Sequence, residues 1–193
     1  MNDFTFYFKL GWHHIISPDA LDHILFIVAL AAIYLVKDWR QVLVLVTAFT
    51  IGHSVTLALS VFDIIRVNSK LVEFLIPCTI IVTALFNFFQ HDFSKKKLQL
   101  NYFLALFFGL IHGLGFANTI RFMLSKDEKI GRGLFGFNVG LEAGQIVVVA
   151  LILLMSFLLV NVLKLRQNWW VWVLSSIAFL IAVRLEFVQA IEL

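Results

Sequence analysis

The chain has 193 residues and 22.1 kDa, with 61% apolar, 15% aromatic and only 14% charged residues, against roughly 45–50% apolar and about 25% charged in soluble domains. So few charges cannot solvate a globule of this size, two prolines and ten glycines exclude a low-complexity chain, and the single cysteine, Cys78, excludes a disulfide framework or a cysteine-based zinc module. A formal charge of +3, carried in short loops, makes no case for nucleic acid, which leaves an all-α, polytopic bundle of transmembrane helices.

A crossing needs roughly 20 mostly apolar residues, and about six such runs follow one another: 18–36, 40–62, 70–90, 99–123, 134–162 and 169–190. Their connectors are too short to separate domains, so 1–193 reads as a single transmembrane domain. Ahead of the first run, the aromatic-rich stretch 4–16 is expected to lie along the membrane interface. No basic region followed by an apolar stretch and a cleavage site precedes it, so the first span is expected to serve as its own insertion signal. That span is expected to start with Ser17 as N-cap, Pro18 in the first turn and Asp19 close behind. Trp12, Trp39, Trp169 and Trp170 fall at predicted ends, where aromatic belts sit. Lysine and arginine divide evenly between the two sides, so the positive-inside rule does not orient the bundle.

An ionisable side chain at mid-membrane costs roughly 2.5–3.5 kcal/mol on insertion scales, so its position carries information. The first span holds Asp19, Asp22 and His23, the second His53, the third Glu73, the fourth His112, and the fifth Asn138, Glu142 and Gln145. At 1.5 Å per residue, His23 lies roughly 8 Å below the N-terminal side, His53 and Glu142 about 13 Å, and His112 about 15 Å. Glu73 is shallower. Separate helices thus place their ionisable groups in one half of the membrane. Pro77 frees the carbonyl of Glu73, leaving an acceptor beside a carboxylate.

Three imidazoles (His23, His53, His112) with Asp22, Glu73 and Glu142 make a ligand set for a divalent transition metal: nickel, cobalt, zinc or iron. With no thiolate among them, a soft-metal site is disfavoured. Asn138 and Gln145, on one arc of the fifth helix, read as hydrogen-bonding groups around the ligands, as does Asp19. His14, with His13, reads equally as an outer capture ligand or an interfacial residue. Opposite that arc, Gly136, Gly140 and Gly144 form a ridge for close backbone contact, within the chain or with a second copy in a homo-oligomer. The leading function is a metal permease with lipid and the metal ion as partners. The alternatives are an intramembrane zinc hydrolase, with Asp19, Asp22 or Glu142 as general base, and a non-transporting metal-binding accessory protein.

Five blocks resemble the HupE/UreJ family of membrane proteins, from about residue 10 to 160: Asp22-His23-Ile24-Leu25-Phe26, then Thr47 to Ser54, Glu73 to Ile76, Gly109 to Ala117 and Asn138 to Gln145. Studied members look like nickel or cobalt permeases, so the resemblance implies that Asp22, His23, Glu73 and His112 contribute to metal passage. It also implies a bacterial inner membrane with the N-terminus on the periplasmic side. Where permease members carry His-x5-Asp-His, this chain has Ile16, and its nearest upstream histidine is His14.

Overall fold

The computed structural model describes residues 3–17, 20–90, 98–124 and 130–191, and among these every element is helical. In chain order they are α1 (Asp3–Ile16), α2 (Leu21–Ala31), α3 (Trp39–Val61), α4 (Ser69–Phe89), α5 (Leu98–Gly115), α6 (Ala117–Leu124), α7 (Ile130–Ser156) and α8 (Gln167–Ile191). A six-residue π-helical stretch, Phe157–Val162, extends α7.

Among the described residues, four stretches are long and apolar enough to cross a membrane alone: Val36–Val61, Ser69–Phe89, Ile130–Val162 and Gln167–Val188. The first expected crossing is built differently. α2 has 11 residues, about 16 Å of helix, which is half the hydrocarbon thickness. It joins α1 at an angle of 67°, and only the bent pair is long enough to span. α1 is therefore not a helix lying flat on the surface, because its face from Phe4 to Ile15 packs along α7, with Tyr7 and Ile15 buried. Ser17 does not open α2 but ends α1, its N–H bonding His13 O at 3.0 Å, and Ala20 stands at the N-cap of α2 without a side-chain bond. Pro18 and Asp19 lie outside the described residues. The fourth expected crossing divides near Phe116 into α5 and the short α6.

Glycine sets the closest contacts. A Cβ on Gly140 would run into the Phe8 carbonyl oxygen, one on Gly136 would press on Phe4, and one on Gly11 would strike the Phe137 carbonyl. The Gly136/Gly140/Gly144 ridge is thus covered by α1 of the same chain. A second seam joins α3 and α5, where Gly109 meets the Phe49 carbonyl, Gly52 that of Leu106, and Gly113 the backbone of His53. In both seams the contacts advance in step along the two helices, so each pair runs parallel at backbone distance, the geometry that small residues permit. α4 and α8 contain no glycine and run antiparallel, joined by side chains such as Phe88 and Phe179 at 6.4 Å.

Candidate functional site

The two glycine seams position the helices of three histidines, and α2 brings the fourth between them. Helix α1 ends with His14, α2 begins with His23, α3 carries His53 and α5 carries His112. His23 is the hub, its ring centroid 4.7 Å from His14, 5.1 Å from His112 and 5.9 Å from His53, with His14 and His53 6.0 Å apart. His23, His53 and His112 are buried, the last two completely.

Two hydrogen bonds set the tautomers. The Phe108 carbonyl can only accept, so His112 donates from Nδ1 at 3.0 Å and keeps a lone pair on Nε2. His23 likewise donates Nδ1–H to Asp22 Oδ1 at 2.9 Å, and that oxygen also accepts the His23 backbone N–H at 2.8 Å. Binding one ring nitrogen to a carbonyl or carboxylate fixes the ring and raises the basicity of the other, as it does for metal-ligating histidines. Nε2 of His14, His23 and His112 and both ring nitrogens of His53 are buried without a partner. Leaving such groups unsatisfied away from water costs about 1–3 kcal/mol each.

An aromatic cage surrounds the imidazoles. Phe116 lies 4.1 Å from His14, Phe49 5.1 Å and Phe26 5.2 Å from His112, and Phe137 stacks on Phe116 at 5.4 Å. These rings exclude water and lower the local dielectric, which strengthens any charge interaction inside. A signal for the cage stands in the sequence. Phe26 follows His23 by three residues, Phe49 precedes His53 by four, and Phe108 and Phe116 flank His112 by four on either side. One turn of helix places such neighbours side by side.

The acids divide. Asp22 is beside the cluster through His23. Glu142 instead accepts a hydrogen bond from Thr47 Oγ1 at 2.8 Å, and Gln145, one turn on, accepts from Thr50 Oγ1 at 2.7 Å, so these groups tie α7 to α3. Gln145 Nε2 and Asn138 Oδ1 are buried without a partner. Glu73 is exposed on α4. His14, expected as an outer capture ligand or an interfacial residue, has its ring in the cluster beside His23 and His53. Among the described residues, no group of three or more His, Cys, Asp or Glu side chains stands placed to hold a metal ion.

A family model described as HupE / UreJ protein matches residues 1–190, nearly the whole chain. The chain belongs to the HupE/UreJ family. No curated protein and no solved structure matches it. Family membership and the apolar helices together make this an integral membrane protein. The family match spans all four histidines and both glycine seams, so the cluster is a feature of this HupE/UreJ chain's matched region and not of an appended segment.

Proposed function

We propose that this HupE/UreJ protein is a permease for a divalent transition metal, with nickel or cobalt as first candidates and zinc or iron behind them, and that His14, His23, His53 and His112 bind the ion in transit. The observation that carries the reading is the set of partnerless imidazole nitrogens gathered in a dry interior. A borderline cation is the ligand that such nitrogens satisfy best. With metal–nitrogen bonds of about 2.0–2.1 Å, imidazoles sharing one tetrahedral ion stand with ring centres about 5 Å apart, close to the 4.7–5.9 Å between His23 and each of the other three rings and the 6.0 Å between His14 and His53. In this reading the rings must turn about their side-chain torsions to share the ion.

Two of the ligands in this reading have a support. Asp22 fixes the His23 ring and adds one negative charge beside a divalent ion, while the Phe108 carbonyl aims His112. Neutral imidazole ligands bind less tightly than thiolates would, and transit needs release as well as capture. The bend between α1 and α2 sits between His14 and His23, so a change of that angle alters the distance between two ligands and offers a route to release. Glu73 and Glu142 are not in this inner set.

Uptake of radioactive nickel, cobalt and zinc into proteoliposomes tests the proposal, with wild type compared against His23→Ala and His53→Ala. The expected result is metal-specific uptake in wild type and its loss in both variants. Tight binding without uptake would retire the permease in favour of a non-transporting metal-binding protein.

A further inference from the structure

The seam between α3 and α7 carries a second polar group, separate from the imidazoles. Glu142 lies about 18 Å from the start of the crossing Ile130–Val162 and is half-buried. Its hydrogen bond comes from Thr47 Oγ1 at 2.8 Å, and among the described residues no cation pairs with it. A carboxylate so placed is costly in a membrane and marks a functional position.

Two buried polar atoms on the same face of α7 lack partners: Asn138 Oδ1, one turn before Glu142, and Gln145 Nε2, one turn after it. Side chains three and four residues apart on a helix are neighbours, so both flank the carboxyl group. Their chemistries are opposite, since Oδ1 only accepts and Nε2 only donates. The acid form of Glu142 has a hydrogen to give Asn138, and the carboxylate form has lone pairs for Gln145. Each protonation state therefore finds one partner that is otherwise unused. Gln145 is held in place by Thr50, whose hydroxyl donates to Oε1 at 2.7 Å, and is 1% exposed. The elements packed against α7 carry titratable groups at Lys9, His13 and His14 on α1, Asp22 and His23 on α2, and Lys37, Asp38, Arg40 and His53 on α3 or the turn before it. Among the described residues no hydrogen bond or ion pair joins any of them to Glu142.

Resting on the permease reading above, we infer that Glu142 is a proton-exchange site through which each metal ion is passed against one proton. Thr50 and Thr47 stand one and two turns before His53 on α3, so the two sites share no ligand and act on each other through charge. A divalent ion among neutral imidazoles favours the carboxylate form of a nearby acid, and its departure favours the acid form. Glu142 thus yields its proton to water as the ion enters and takes one up as the ion leaves. One divalent ion moved one way and one proton the other transfers one net positive charge. A metal ion does not suit this seam, because its oxygens meet in pairs at 2.8 and 2.7 Å, the separation of atoms that share a hydrogen.

Proteoliposomes of the full chain, loaded with a pH-sensitive dye and clamped at zero voltage by potassium and valinomycin, test this with whichever of nickel, cobalt or zinc the wild type takes up. Wild type is expected to accumulate about tenfold more metal for each unit of acid-inside pH gradient, the value of one proton per ion, with protons leaving as metal enters. Glu142→Gln is expected to equilibrate metal without responding to the gradient or moving protons. Asn138→Leu removes the partner of the acid form and is expected to shift the midpoint of the pH dependence of uptake to lower pH, whereas Gln145→Leu shifts it to higher pH. Should Glu142→Gln take up nothing, these two variants decide, and shifts that are absent or in the same direction would overturn the inference. Wild-type uptake that ignores the pH gradient, or follows a sodium gradient instead, would retire the coupling alone. No uptake by wild type under any gradient would retire the permease and the coupling with it.

Discussion

The bundle has two halves built by different rules. In the histidine half, α1 with α7 and α3 with α5 meet at glycines, backbone against backbone. In the other half, α4 and α8 meet through side chains, with Phe88 near Phe179 and Asn87 bonded to Ser175. Backbone contact leaves little freedom, because the helix axes can neither approach nor rotate without collision. Side-chain contact leaves slack, and a cavity of about 350 Å³ opens beside α4, on its α2 and α5 side. In this molecule the closely fitted half holds the imidazoles and the looser half holds space. A site that must keep four rings within a few ångströms of one another needs the first kind of construction.

Substitutions can break this comparison. The largest effect is expected at the seams: Gly109→Leu and Gly140→Leu each drive a side chain into a carbonyl of the facing helix, costing about 3 kcal/mol or more. Thermal unfolding in detergent reads this as a large fall in melting temperature, and metal binding is lost with it. Next comes Asp22→Asn, which keeps the shape but no longer holds His23 Nδ1–H with a carboxylate. Metal affinity is expected to fall about 10–100-fold with melting of the metal-free protein unchanged, as titration calorimetry can measure. A smaller effect is expected in the other half. Ser175→Ala removes one buried hydrogen bond, costing about 1 kcal/mol, and leaves metal affinity as it was. Smallest of all is Glu73→Gln, an exposed position on α4, where affinity is expected to stay within about twofold because the site and the substitution share no partner. A strong effect at Glu73 would place an acid in the metal path that the geometry leaves outside.

Much of this organisation is legible in the order of residues. Apolar runs locate the long helices, since crossing length is a matter of counting. His23, His53 and His112 are placed at similar depth by helical rise alone, and their rings do meet around His23. The glycine ridge on α7 signals backbone contact, though only the structure shows that α1 fills it. The first crossing was harder to read. Residues 4–16 contain Lys9, His13 and His14, which in sequence look interfacial, and no local rule shows that Gly11 lets this helix press against Phe137 O. His14 enters the cluster for the same tertiary reason. Glu142 lies at a suitable depth but hydrogen-bonds Thr47, because depth fixes the height of a side chain and not its bearing around the helix.

X-ray absorption at the metal edge, on purified protein loaded with one equivalent of nickel or zinc, addresses the histidine cluster most directly. The account predicts a nitrogen shell at about 2.0–2.1 Å with the outer-shell scattering of at least three imidazoles, reduced in His53→Ala. A spectrum dominated by oxygen ligands, or one that is unchanged in His53→Ala, would contradict it.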